Sequence, residues 1–438
     1  MTSAPRCRLA VVGAGWAGLA AAVHATQAGH SVTLFEMAPQ VGGRARSVKT
    51  RLGTLDNGQH ILIGAYTRTL ALLRQVGVDP ERVLLRRPLR LAYPDGRGLA
   101  LPGGRPLPAF TRGVLTAQGW SWPDRLGLLA AAGGWLGRGF RCAPELTVET
   151  LCRRLPTAVR RDLIEPLCVA ALNTPMAQAS AAVFLRVLKD ALFSGTGSAD
   201  LLLPRQPLSQ LLPAPALTWL QQHGAALHLT RRVMRLEASG AHWQVDGDRF
   251  DAVVLACTAS EASRLVAALN APIATEWSRC AASLRYEPIV TAYLHDAQLR
   301  FTAPMMALTA DASAPAQFAF DLGALGMAPG TFAFVVSGAR AWVERGLAAT
   351  GQAVLQQARQ AFPGAFVGAD DAVLQHIAAE QRATFACTPA LRRPPARVAP
   401  GLSAAGDYIA GPYPATLEGA VRSGEQAAAL ALSSCCAT

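Results

Sequence analysis

Apolar positions come in short continuous runs near the start of the chain and in alternating ones further on. Leu9-Ala10-Val11-Val12 is a run of strand length with no polar interruption, the pattern of a strand covered on both faces. It breaks at Gly13-Ala14-Gly15-Trp16-Ala17-Gly18, after which residues 19–28 predict a helix stopped by Gly29. Val32-Thr33-Leu34-Phe35 predicts a second strand, ending in Glu36. Further on, the segment around Val233 predicts a strand, a hairpin turn at Asp246-Gly247 and a buried strand over 252–256. Phe318, Phe320, Phe332 and Phe334 alternate as strand residues do. With Met305 and Met306 they are expected to form core, in a sheet that walls part of a pocket.

One stretch departs from both rhythms. "DNGQHILIGAY", residues 56–66, sets an acid, two amides, a glycine and a histidine directly against Ile61-Leu62-Ile63. A hydrogen-bonded turn explains Asp56-Asn57-Gly58, but not Gln59 and His60 running straight into an apolar wall.

The first of these patterns carries chemistry. In strand–Gly-x-Gly-x-x-Gly–helix, Gly13 permits a tight turn, Gly15 lets a pyrophosphate approach the backbone, and Gly18 lets helix pack on strand. Ala14 and Ala17 stand between them, where the helix N-terminus points amides at phosphate. Glu36, at the end of the second strand, suits the hydroxyls of a ribose and disfavours a 2′-phosphate. Together these define a dinucleotide site and argue against NADP.

Composition bounds the rest. With 438 residues, 51% hydrophobic and 16% charged, the chain is long enough for two or three cores and is not disordered. The net charge of +12 is almost all arginine, since Lys49 and Lys189 are the only lysines. Coding bias and attraction to anionic lipid or phosphate both account for it. The arginines are scattered and no nucleic-acid module appears, so a nucleic-acid partner is not expected. Nine cysteines without a C-x-x-C pair suggest reduced thiols in a cytoplasmic protein, and no metal site is expected. Arg6 and Arg8 before an apolar run resemble a signal peptide, but the three glycines interrupt it. The leucine-rich stretch 201–220 carries Pro204, Arg205, Pro207, Pro213 and Pro215, which a spanning helix would not tolerate. Residues 126–137 are uncharged but too few to cross a bilayer. With Trp120, Trp122, Trp135, Arg125, Arg138 and Arg141 around them, segment 120–140 suits either a helix lying on the inner face of the cytoplasmic membrane or a buried domain helix.

Val41-Gly42-Gly43-Arg44 resembles the second glycine pair of FAD enzymes in the amine oxidase and phytoene desaturase superfamily. That resemblance implies Gly43 and Arg44 beside the pyrophosphate, and the backbone at Val233 against adenine. Gly406-Asp407 and the helix opening at Thr416 and Leu417 resemble its C-terminal flavin motif, with Asp407 on the ribityl or pyrophosphate and the helix end at the flavin O2 edge. In the same superfamily the segment holding Asp56 to His60 passes over the isoalloxazine, with Gly58 allowing close approach. "DNGQHILIGAYTRTLALL", "AALNTP" (170–175), "GSADLLLPRQPLSQLLP" and "GDYIAGPYPATLEGAVRSGEQAA" narrow the resemblance to the squalene-associated FAD-dependent desaturases, the hydroxysqualene dehydroxylases.

Membership implies an α/β fold: a discontinuous Rossmann-type FAD domain in three parts, 1–90, 205–265 and 396–438. An inserted mixed α+β substrate domain would occupy 91–204 and 266–395. The implied reaction removes the hydroxyl of a C30 allylic alcohol with FADH2, yielding squalene in squalene and hopanoid synthesis, with the electron donor and oligomeric state unspecified. The departing hydroxyl needs a proton, for which His60, then Asp56, and Gln59 are the candidates; Tyr408 and Tyr413 suit packing better. A carotenoid desaturase, another flavin enzyme of the superfamily and a non-enzymatic lipid-binding flavoprotein are the alternatives. The absence of any lysine after Lys189 weighs against an amine oxidase.

Overall fold

The structure, a computed structural model, describes residues 7–51, 53–269 and 271–435; Arg6 and Cys436 lie outside them. Its central sheet has six strands in the order Ala226–His228, Ser31–Phe35, Arg8–Val12, Ala252–Leu255, Leu402–Ala404 and Arg397–Ala399. The first five are parallel, with Leu9 set between Val32 and Ala252. Parallel strands need both faces covered, and the uninterrupted apolar runs supply that. Helix Trp16–Gln27 crosses one face and packs on helix Leu417–Ser433. Strands from the start, middle and end of the chain thus share one Rossmann-type sheet, as the α/β expectation required.

The hairpin forms where the sequence placed it: Asp246 (φ 49°) and Gly247 (φ 90°) join His242–Val245 to Asp248–Phe250, both residues left-handed as a two-residue turn demands. The helix begins three residues earlier than read, at Trp16, so the second half of the glycine motif is already helical.

A second sheet is antiparallel, in the order Met305–Ala307, Phe318–Asp321, Thr331–Val336, Tyr286–His295 and Leu374–Phe385. Here the four phenylalanines divide. Phe332 and Phe334 pack behind the sheet with Val354 and Leu355 of helix Leu347–Ala361, whereas Phe318 and Phe320 face the central cavity. Helices Pro106–Leu115, Trp122–Gly137, Glu165–Leu172 and Ala181–Phe193 close the other side. Strand Leu201–Pro204 pairs with both Leu62–Ile63 and Leu84–Arg87 in a small three-stranded sheet.

The tryptophans of segment 120–140 do not share one role. Trp120 and Trp135 are buried, and the Trp120 indole donates to the Asp162 carboxylate at 3.4 Å. Trp122 faces outward. Among the described residues no helix is long and apolar enough to cross a membrane.

Candidate functional site

A cavity of ≈ 720 Å³ runs from the carboxyl ends of the parallel strands to the second sheet. That is where an open α/β sheet places its ligand, and the volume suits a large one. At one end, Gly13 (φ 106°) turns the chain out of its strand and bonds back through its N–H to the Phe35 carbonyl at 2.7 Å. A Cβ on Gly18 would meet the Gly13 carbonyl oxygen at 1.9 Å, so helix and turn are in contact. Glu36 is buried. Its two oxygens accept the N–H groups of Ala14 (2.7 Å) and Ala38 (2.8 Å), which fixes the carboxylate at the cavity edge with lone pairs remaining for hydroxyl donors.

The "VGGRAR" segment lies against this loop. Gly42 donates to the Ala14 carbonyl at 2.8 Å, and a Cβ on Gly15 would find only the Gly43 Cα, at 3.8 Å, with the cavity beyond. Arg44 reaches across to donate to Asp407 (2.5 Å) and to the Ala383 carbonyl (2.6 Å). Burial would weaken its charge, but the Asp407 carboxylate outweighs that and its pKa stands above the ordinary value. Opposite, Thr416 caps helix Leu417–Ser433 by accepting the Gly419 N–H at 3.0 Å, and Thr416 and Leu417 line the cavity. Val233 also lines it, beyond Glu36, with its carbonyl engaged by Arg264 at 2.8 Å. A ligand contact at Val233 would therefore fall on a group other than that lone pair.

The cradle suits FAD. It offers a glycine-lined turn at a helix N-terminus, an oriented carboxylate, an arginine–aspartate pair and a second helix N-terminus, strung along one cavity. Three buried polar atoms on its lining residues have no protein partner, Arg46 Nε, Gln59 Nε2 and the Tyr408 hydroxyl. Burial holds Tyr408 protonated, so it presents a donor. Such orphans call for a polar ligand.

The residues of "DNGQHILIGAY" do meet the cavity, and they also make the turn. Gly58 (φ 106°) has open space where a Cβ would project. His60 Nδ1 lies 2.9 Å from the Gly58 carbonyl, which as the acceptor assigns the proton to Nδ1 and leaves Nε2 a lone pair. Burial, the largest influence, lowers the His60 pKa towards the neutral ring, with nearby Arg44 acting in the same sense. Asp56 moves the opposite way: burial raises its pKa, against the hydrogen bonds that Oδ1 accepts from Ser47 (2.7 Å) and the Leu208 N–H (2.9 Å). Between the two first-ranked acid candidates the electrostatics therefore favour Asp56 over His60, because burial favours both neutral forms and only the neutral carboxyl carries an acidic proton.

Several lining groups escaped the sequence reading. Tyr286, Thr291 and Glu380 project from the second sheet, and Asn57 donates to Glu380 at 2.8 Å. Neither the strands that carry them nor the face that meets the cavity was read from the sequence. Asn173, in "AALNTP", takes a left-handed conformation (φ 46°) and bonds Gly338, the Glu287 carbonyl and Thr384. It ties the helical layer to the sheet. Tyr413 lines the cavity, half-buried.

Fold and cradle define a flavin-dependent oxidoreductase. The chain matches the flavin containing amine oxidoreductase family over residues 16–432 and belongs to it, in its hydroxysqualene dehydroxylase branch. It is 30% identical to a hydroxysqualene dehydroxylase of Sinorhizobium fredii, across 97% of this chain and 98% of the relative. A second, from Rhodopseudomonas palustris, is 30% identical over 96% and 97%. A probable zeta-carotene desaturase of Synechococcus elongatus is 28% identical over 56% of each chain. Among solved structures, an oxidoreductase from Methanosarcina mazei shares the fold with a TM-score of 0.73 at 16% identity, covering 96% of this chain and 99% of that one. FAD is the cofactor.

Proposed function

We propose that the enzyme reductively removes the hydroxyl of hydroxysqualene, giving squalene and water. The near-full-length similarity to hydroxysqualene dehydroxylases carries this reading, and the cavity supports it. Beyond the flavin cradle, Leu167, Phe184, Leu188, Phe318, Phe320 and Val335 give an apolar wall fit for a C30 isoprenoid, with Asn173, Asp190 and Thr291 among the polar groups beside it.

In balance, the C–O bond breaks, the oxygen leaves as water with one proton, and a hydride adds to the allylic carbon. When bound, reduced FAD supplies that hydride. The chain does the rest. Asp56, kept neutral by burial, gives the proton to the departing oxygen. His60 Nε2 accepts from the hydroxyl and orients it, while Gln59 Nε2 offers a donor to the same oxygen. The apolar walls exclude water that would recapture an allylic cation. Gly13, Ala14, Gly15, Ala17, Gly18, Glu36, Gly43, Arg44, Gly58, Val233, Gly406, Asp407, Thr416 and Leu417 hold the cofactor.

The test is anaerobic. Flavin-loaded protein is reduced, hydroxysqualene is added in detergent, and flavin reoxidation is followed with product by gas chromatography. Squalene formed one-for-one with reoxidised flavin is the expected result. Flavin that stays reduced with no squalene overturns the reading, and oxidised enzyme that instead dehydrogenates a polyene replaces it with a desaturase.

A further inference from the structure

Helix Trp122–Gly137 is apolar on both its buried and its exposed face. Its solvent-exposed residues are Trp122, Pro123, Leu126, Ala130, Gly133, Leu136 and Gly137, none with a polar side chain. A surface helix ordinarily turns its charged face outward. Its neighbour Pro106–Leu115 adds exposed Leu107 and Leu115. Large apolar side chains are thereby gathered on one pair of packed helices, where singly scattered ones would need no explanation.

The rim of this patch is cationic. Arg105, Arg112, Arg138 and Arg141 are exposed and form no ion pair among the described residues, and Asp124 is the one acid between positions 96 and 144. Asp124 is spent in the capping box with Ser121. Beneath the patch, a cavity of ≈ 20 Å³ is lined solely by apolar residues, among them Phe110, Leu128 and Trp135 on the inner faces of the two helices. It shares Leu89, Leu167, Leu188 and Leu192 with the main cavity.

From these observations we propose that the helices Pro106–Leu115 and Trp122–Gly137 dock on an anionic bilayer, laying Trp122, Leu126 and Leu136 into the acyl boundary. An in-plane helix needs an apolar face below and cations level with the headgroups, and both are present. A second copy is the poorer occupant. A two-fold interface sets a patch against itself and would bring the unpaired arginines of one copy onto those of the other. The shared leucines make the same face the route by which an apolar substrate leaves the bilayer for the cavity, a consequence that rests on the isoprenoid reading; the docking itself does not.

Flavin-loaded protein is floated with vesicles of phosphatidylcholine alone or mixed with phosphatidylglycerol, without substrate. The wild type should rise with the mixed vesicles and do so less as salt increases. The double variant W122E/L126E, exposed and clear of the cofactor cradle, should bind roughly a hundredfold less. Its flavin spectrum should be unchanged, and so should its turnover in detergent micelles. Wild type that stays at the bottom of the gradient overturns the docking, as does a variant that floats equally. So does a wild-type dimer that the variant makes monomeric, seen by light scattering, with no vesicle binding. Failure of the squalene reaction in micelles beside successful flotation would sink the reaction reading and leave the docking standing.

Discussion

The Arg44 guanidinium meets the Asp407 carboxylate at 2.5 Å across a separation of 363 residues. It joins the segment after the glycine loop to the strand end that precedes the last helix, and both residues line the cavity. With its charge alone, either residue would face the cavity unpaired. Asp407→Ala is expected to destabilise the protein by about 1–3 kcal/mol and to lower flavin retention. Asp407→Asn, which keeps an acceptor, should do less of both. Bound flavin per chain after gel filtration and urea midpoints check this; an Asp407→Ala protein with full flavin and an unchanged midpoint would remove the pair from the cradle.

Glu36 fixes two backbone N–H groups and the edge of the cavity at once. Glu36→Ala should weaken FAD binding by roughly tenfold to a hundredfold, read by fluorescence titration of the apoprotein. FMN lacks the adenosine half, and its affinity should not change. Equal losses for FAD and FMN would show that Glu36 supports the loop and not a ribose.

The nucleotide-binding half was legible because its physics is local. Gly13, Gly18 and Glu36 are each required by a turn, a close approach or a strand end within 30 residues of sequence. The substrate half was not, because its decisive facts are relations between distant segments. That Phe318 faces the cavity and Phe332 does not depends on sheet register, and both lie in equally apolar strands. That Asp56 is a better proton donor than His60 rests on burial, which outweighs the hydrogen bonds from Ser47 and the distant Leu208. By residue type segment 120–140 suited an interfacial or a buried helix equally; for Trp120 and Trp135, Asp162 and the helical core decide for burial.

The pH dependence follows from those burial effects. Burial raises the Asp56 pKa, so the carboxyl stays protonated to higher pH than an ordinary one. Single-turnover flavin reoxidation by hydroxysqualene should therefore fall as pH rises through that raised value. Asp56→Asn should slow the step by roughly 10²–10⁴-fold and flatten the profile. His60→Asn should slow it less and keep the limb. If the limb disappears with His60→Asn instead, the proton belongs to the imidazole.

Stability should respond to His60 in the opposite sense. Its folded pKa is lowered, so the unfolded ring takes up a proton first as pH falls. The contribution is present above the ordinary histidine value and is lost as pH drops through the folded one. His60→Asn should therefore lose less stability than wild type on acidification across that window, measured as urea midpoints of the apoprotein. Parallel losses in both proteins would mean that other groups carry the acid sensitivity.

Helices Glu165–Leu172 and Ala181–Phe193 wall one side of the cavity. Ala171 and Ala191 line it there, and each is small enough that a larger side chain would occupy the space itself. Ala191→Trp should leave flavin content near that of wild type, because Ala191 is not among the residues that hold the cofactor. It should raise KM for the C30 alcohol by roughly tenfold or more while a shorter allylic isoprenol keeps its rate, since overpacking penalises only what must share the volume. A variant that loses both substrates alike would place the obstruction at the reacting carbon. One that loses neither would show that the chain of the substrate runs elsewhere, towards the second sheet and Phe320.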